Sequence, residues 1–297
     1  MKEIVIISGK GGTGKTTIAA ALASLAEQKI MADCDVDAAD LHLILNPEIQ
    51  QRTDFYSGKT AFIRENDCTQ CGKCVEVCQF AAISPDYVVD PIACEGCGVC
   101  VWFCPVDAID FNEDLSGQWF ISNTRFGWLV HAKLGIAQEN SGKLVTLVRQ
   151  QAKLLAEKEK AAYLIIDGAP GVGCPVIASI TGANLVLVVT EPTLSGLHDL
   201  ERVVSLTAEH FQIDTFVCIN KYDLNPELTD QIEAFCQRQK VHLAGKVPYD
   251  DAVTKAMVQG KNIFEFSDGP VADAIQAVWE NVENFLNAVV NKNDFHP

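Results

Sequence analysis

The chain opens on an almost unbroken apolar run, Lys2 to Ser8, rich in Ile and Val. A run of that kind reads as a strand buried on both faces, as in a parallel sheet. After a Gly-rich turn, the Ala- and Leu-rich stretch Thr16 to Glu27 predicts a helix, and Ile30 to Asp35 a second strand edge. Further on, helical patterns alternate with short apolar runs. Helices are predicted over Ser141–Lys158, Cys174–Thr181, Gly196–Glu209 and Pro226–Gln239, and strands over Tyr163–Asp167, Leu185–Thr190 and Phe216–Asn220. Ala272–Val290 closes the series as an amphipathic helix with an apolar stripe at Ile275, Val278, Trp279, Val282, Phe285, Leu286 and Val289. Strands alternating with helices predict an α/β fold with a mostly parallel sheet covered on both faces.

Between about Phe62 and Asn112 that rhythm stops. Cys, Gly and Pro crowd together and no long helix fits. The expected organisation is a discontinuous α/β domain, residues 1–60 and 115–297, interrupted by a small module at 61–114. Inside the module, Cys68-x2-Cys71-x2-Cys74-x3-Cys78 is followed by Cys94-x2-Cys97-x2-Cys100-x3-Cys104-Pro105. Two such runs form the bacterial two-cluster ferredoxin pattern, in which the fourth cysteine of each run ligates the other cluster. One 4Fe–4S cluster then takes Cys68, Cys71, Cys74 and Cys104, and the second takes Cys94, Cys97, Cys100 and Cys78. The module is expected to be a small α+β ferredoxin-like domain. Zinc is the alternative, but zinc knuckles pair two C-x-x-C units and use four cysteines. One departure is Gln79, which follows Cys78 where Pro is common. Val75, Phe80, Ile83, Val101, Phe103 and Ile109 are the expected thin core. With so little apolar mass, folding should depend on the clusters.

Gly9-Lys10-Gly11-Gly12-Thr13-Gly14-Lys15-Thr16 matches the G-x-x-x-x-G-K-[ST] phosphate-binding loop, between a predicted strand and a predicted helix. Its backbone N–H groups, with the helix N-terminus at Thr16 and Thr17, suit phosphate. Lys15 would reach the β- and γ-phosphates of ATP and Thr16 would bind Mg²⁺. The additional Lys10 makes the loop resemble the deviant phosphate-binding loop of the MinD/ParA/Mrp ATPases, a family that includes the nitrogenase iron protein. That resemblance spans essentially the whole chain. It implies a P-loop NTPase domain, Mg-dependent ATP hydrolysis and a nucleotide-sandwich dimer. Lys10 would reach the nucleotide of the dimer partner. Asp33-Cys34-Asp35-Val36-Asp37 resembles switch I, with Asp35 positioning water or the Mg²⁺ shell. Asp167-Gly168-Ala169-Pro170-Gly171 resembles Walker B and switch II, with Asp167 holding the Mg²⁺ shell. Asn220-Lys221-Tyr222-Asp223 resembles the base-recognition segment, with Asn220 at the adenine edge. Pro248 and Tyr249 lie near the family's second base-contacting stretch.

The formal net charge of −16 disfavours general nucleic-acid binding. No stretch approaches the roughly 18 apolar residues of a membrane span, no signal-peptide pattern begins the chain, and the terminal helix lacks the basic face of a membrane anchor. The protein is expected to be cytoplasmic, where twelve cysteines argue for metal over disulfides. Of the four outside the module, Cys34, Cys218 and Cys236 read as packing or carry no signal. Cys174 follows Asp167 at the interval seen in the nitrogenase iron protein's bridging-cluster cysteine. The segment Gln138–Lys143 that would match that protein's second cysteine holds none, so a structural thiol is the simpler reading. The six histidines are expected at caps or on the surface.

Taken together, the sequence predicts an ATP-hydrolysing iron–sulfur protein. ATP-driven switching of a homodimer, or of a heterodimer with a paralogue, would be coupled to electron transfer toward a redox partner. The alternatives are an ATP-dependent carrier or assembly factor for a metallocluster partner, and a localisation switch with structural clusters.

Overall fold

The computed structural model describes residues 1–135 and 140–293, with side chains as far as Val289. In chain order the elements are β1 (Lys2–Ser8), α1 (Lys15–Leu25), β2 (Lys29–Asp33), α2 (Leu41–Leu45), β3 (Glu48–Ile63), α3 (Lys73–Val77), α4 (Val99–Phe103), β4 (Ile109–Thr124), β5 (Gly127–Leu134) and α5 (Ser141–Lys158). They continue as β6 (Tyr163–Pro170), α6 (Cys174–Ile180), β7 (Leu185–Thr190), α7 (Leu194–Val204), β8 (Asp214–Asn220), α8 (Pro226–Gln239), β9 (His242–Val247), α9 (Asp251–Val258) and α10 (Pro270–Asn293). A π-helical turn, Ser205–His210, extends α7.

The strands lie in the order β3-β4-β5-β2-β6-β1-β7-β8-β9. From β5 to β9 every neighbouring pair is parallel. β1 shows how both faces of this sheet are covered. Ile4 and Ile6 join the core that α1 and α10 cover, while Ile7 lies on the opposite face beside Gly168 and Ser179 of α6. A central parallel strand must be apolar on both faces because helices cover both. The stripe of α10 is buried as expected: Ile275, Val278, Trp279, Val282 and Leu286 all pack into this core. Beyond β1 and β7 the crossovers run in opposite directions, which places a crevice at the carboxyl ends of the strands where ligands bind in such sheets.

The chain divides into two compact units. The larger comprises Met1–Arg52, Trp119–Lys133 and the chain from Ser141, and the smaller Thr53–Gln118 with Leu134, Gly135 and Asn140 as its remaining described residues. β3 and β4 each begin in one unit and end in the other. The smaller unit is held by Ala61, Ile63, Ile83 and Ile109, with Cys74 and Cys100 buried among them. Phe80 and Phe103, expected in this core, are instead exposed. Thiols and aliphatic residues take the interior, and Tyr87 and Phe111 are the aromatics that pack against it.

Three further expectations change. The 16-residue strands β3 and β4 were not anticipated, nor were β5 and β9. His131 is buried on β5, stacked between His42 and Phe120, rather than at a cap or on the surface. Cys174 is exposed at the start of α6, not packed as a structural thiol, whereas Cys34, Cys218 and Cys236 are buried. Of the segment compared with a second bridging cysteine, Gln138 and Glu139 lie outside the described residues.

Candidate functional site

The predicted phosphate-site residues of the larger unit lie near or just beyond the carboxyl ends of parallel strands, with Lys15, Thr16 and Thr17 opening α1. The loop Gly9–Gly14 joins β1 to α1, whose first residue is Lys15. Gly14 has φ 90°, and a Cβ there would sit 2.3 Å from the Asn220 amide nitrogen, so only glycine fits. That amide donates to the Thr13 carbonyl at 2.7 Å, fixing the end of β8 against the loop. Asn220, predicted at an adenine edge, therefore braces the loop in this state.

Lys15 is 6% exposed and lies between two carboxylates, 2.7 Å from Asp167 Oδ1 and 3.3 Å from Asp35 Oδ2. Burial alone would depress its pKa, but Asp167 and Asp35 outweigh it and hold the ammonium above the ordinary lysine value. Burial likewise pushes the Asp35 carboxyl up against the pull of Lys15. Asp33, which the sequence placed in the switch I segment without a role of its own, is wholly buried and accepts the backbone N–H of Asp35 at 3.1 Å and of Leu41 at 3.3 Å. Burial and the neighbouring Asp167 charge hold it well above the usual carboxylate range. Its signal in the sequence was an Asp at a strand end, two residues before Asp35.

A magnesium ion suits this donor set. Asp167 is 1% exposed, and its Oδ2 has no hydrogen-bond partner, an orphaned acceptor that a cation or its water would satisfy. The Thr16 hydroxyl lies 3.5 Å from the same Lys15 Nζ.

A cleft of about 390 Å³ runs from the loop residues Gly11–Thr17 past Asp35 and Asn220 to an apolar wall of Val247, Val253, Met257 and Ile275. Val247 rather than Pro248 lines it. The Pro248–Tyr249 turn is tied to the Asn220–Asp223 segment through the Tyr249 N–H, which donates to Asp223 Oδ1 at 2.7 Å. Polar at one end and apolar at the other, this cleft has the character of a nucleotide site.

Lys10 does not point away from its own chain. Its ammonium meets Glu191 Oε1 at 2.9 Å, Ser195 Oγ at 2.8 Å and Thr193 Oγ1 at 3.2 Å. Glu191 also pairs with Lys221 at 3.2 Å. Burial opposes ionisation of Glu191, but the two lysines outweigh it and lower its pKa.

In the smaller unit the eight motif cysteines fall into two groups. One small cavity is lined by Cys68, Cys71, Cys74 and Cys104, the other by Cys78, Cys94, Cys97 and Cys100. Backbone N–H groups approach three of the sulfurs: Gln70 N–H to Cys68 at 3.4 Å, Ala82 N–H to Cys78 at 3.4 Å and Ala108 N–H to Cys104 at 3.3 Å. Gly96 has φ 60°, and a Cβ there would meet the Lys59 carbonyl at 2.4 Å. Among the described residues, no three His, Cys, Asp or Glu side chains converge on a point that one metal ion would fill. Four thiols around a cavity, with N–H groups directed at sulfur, fit a polynuclear iron–sulfur cluster.

A glycine loop at the switch point, a buried lysine between two carboxylates and an apolar wall beyond them define a phosphate-binding nucleotide site. The chain belongs to the CobQ/CobB/MinD/ParA nucleotide-binding family, whose model matches residues 4–263. It is 33% identical over 287 residues to an uncharacterized protein of Methanocaldococcus jannaschii, covering 96% of this chain and 97% of that one. The fold resembles the cell division ATPase MinD of Pyrococcus furiosus, with a TM-score of 0.58 and 18% identity, covering 96% of this chain and 99% of that one. A stretch of 53 residues, 18% of this chain, is 32% identical to pyruvate synthase subunit PorD of Methanothermobacter marburgensis and covers 65% of it. No helix among the described residues is long and apolar enough to cross a membrane.

Proposed function

We propose that the protein binds and hydrolyses ATP with Mg²⁺, holds two 4Fe–4S clusters, and couples nucleotide-driven switching of a dimer to electron transfer. The observation that carries this reading is the sorting of eight cysteines into two four-thiol cavities, in a chain whose larger unit builds a phosphate site. The partial likeness to the pyruvate synthase subunit supports it.

Lys15 neutralises Asp167 and Asp35 before nucleotide arrives. An incoming γ-phosphate offers the ammonium a stronger acceptor, so Lys15 leaves the two carboxylates. Asp167, Asp35 and Thr16 are then free to hold Mg²⁺ and its waters. Asp33 keeps the Asp35–Leu41 backbone in place, so movement of Asp35 is transmitted to α2. Lys10, released from Glu191, is the group that would reach a nucleotide across a dimer. When bound, each cluster supplies a one-electron site. In the smaller unit, Cys68, Cys71, Cys74 and Cys104 would hold one, and Cys78, Cys94, Cys97 and Cys100 the other.

The test is anaerobic purification with iron and sulfide analysis and electron paramagnetic resonance after reduction. The reading expects about eight irons and eight sulfides per chain and two interacting reduced clusters. One zinc ion per cysteine set, without sulfide, would overturn it. A carrier or assembly role shares these sites. It is distinguished by ATP-dependent transfer of labelled iron to an apo-acceptor.

A further inference from the structure

We propose that the smaller unit docks a basic one-electron carrier protein on an exposed apolar stripe of Val99, Trp102, Phe103 and Val106. The proposal rests on the cluster reading above and names the chemistry of the partner that reading requires.

Val99, Trp102 and Phe103 lie three and four residues apart on α4, and Val106 follows just beyond it. Val99 lines the cavity of Cys78, Cys94, Cys97 and Cys100, and Val106 lines the cavity of Cys68, Cys71, Cys74 and Cys104. The stripe therefore touches the walls of both cysteine sets. Trp102 is 90% exposed, the highest value among the exposed large apolar side chains described, and Phe103 is 56% exposed. Nothing in the fold needs an indole there. The motif requires Cys100 and Cys104, and of the positions between them Val101 packs against the core while Trp102 and Phe103 do not. Large aromatics exposed in a cluster mark interaction surfaces, where Trp is a frequent anchor.

Charge selects the partner. Between Thr53 and Gln118 there are eleven Asp and Glu against three Lys and Arg. Arg64 is already committed to Asp67 and Asp110, Lys59 lies over the Phe111 ring, and Lys73, exposed at the cavity that Val106 lines, is left against the eleven carboxylates. Glu95, which lines the same cavity as Val99, and Asp107, next to Val106, are both exposed beside the stripe. Thiolate-bound clusters add further negative charge. At this stripe the smaller unit of a second copy would bring the same acidic surface and be repelled, whereas a lysine-rich protein with a shallow apolar socket is attracted. The transfer moves one electron from a reduced cluster to the carrier's oxidised centre, and no atom or proton changes place.

Mitochondrial cytochrome c, a basic haem protein, serves as the probe. Cluster-loaded protein is reduced, freed of reductant and mixed anaerobically with ferric cytochrome c in a stopped-flow instrument. Affinity between the two oxidised proteins is measured by calorimetry. Raising salt from about 20 to about 200 mM should slow haem reduction roughly tenfold. At low salt, Trp102→Ser should lower both rate and affinity about tenfold, and Glu95→Lys about threefold. Iron content and oxidation by ferricyanide should stay within about twofold, because a small oxidant needs no docked socket.

Wild-type rate and affinity in Trp102→Ser with full iron content would overturn the proposal, as would a rate indifferent to salt. A change in sedimentation from dimer to monomer in Trp102→Ser would assign the stripe to self-association and also overturn it. Wild-type protein lacking iron would refute the cluster reading instead.

Discussion

In the larger unit Ile4, Ile6, Leu22 and Leu187 are wholly buried in one continuous aliphatic core. In the smaller, four aliphatic residues share the interior with thiols, and Phe80, Trp102 and Phe103 are left outside. The first core stabilises itself by removing apolar area from water. The second buries little apolar area, and on the proposed reading its cysteines stand in for the missing hydrocarbon once clusters bind them together. On that reading one chain carries a self-sufficient nucleotide fold and a cluster-dependent one, which sets the order in which the molecule should fail.

The largest effect should follow removal of iron by an anaerobic chelator. Amide hydrogen exchange over 53–118 should accelerate by more than about a thousandfold, while β1, β6 and β7 keep their protection. Equal protection of both units after iron loss would erase the distinction drawn here.

Acid should act on the larger unit. Burial lowers the His131 pKa to about 4 from an ordinary 6.5. The unfolded imidazole takes up a proton below about 6.5, whereas the folded one resists until about 4. Stability from this group is complete above 6.5 and is lost as pH falls through that window, on the order of 3 kcal/mol in all. Urea unfolding at pH 7 and pH 4 measures the loss. His131→Phe should flatten the pH dependence, and an unchanged slope would rule His131 out as its source.

Lys15→Ala should weaken ATP binding at least about thirtyfold, read by calorimetry, with iron content unchanged. Loss of iron in that variant would mean that the units do not fail separately. The smallest expected effect on affinity belongs to Lys10→Ala, under about threefold, since Lys10 is held by Glu191 and the neighbouring hydroxyls rather than by the loop. Hydrolysis should fall at least tenfold in the same variant, because in the proposed dimer Lys10 reaches the partner's nucleotide. Equal losses in binding for Lys10→Ala and Lys15→Ala would refute the separate role given to Lys10.

What the sequence revealed follows the same division. β1, β6, β7 and β8 were legible because a strand covered on both faces must be apolar throughout. β3 escaped notice because it borders the sheet. Glu48 to Arg52 are all exposed, so neither continuous apolarity nor alternation marks them. The two cysteine sets were legible from spacing alone, since ligand geometry constrains sequence directly. The core around them was not. Phe80 and Phe103 look like core by type, but the space near short-spaced thiols belongs to whatever the thiols bind. Lys15 was legible from the phosphate-loop pattern, and Asp35 and Asp167 from the switch-like segments that hold them. Asp33 and Glu191 act through one backbone turn and one ion pair, contacts that only the folded chain brings together.

The central claim is that the phosphate site and the cysteine sets work as one device. It is tested most directly by the reduction potentials of the clusters in the full-length protein, titrated anaerobically with and without saturating Mg-ATP. The account predicts that Mg-ATP shifts at least one potential by about 30 mV or more, and that Lys15→Ala abolishes the shift. Potentials that coincide with and without bound nucleotide, in protein shown to bind it and to hold both clusters, would contradict it.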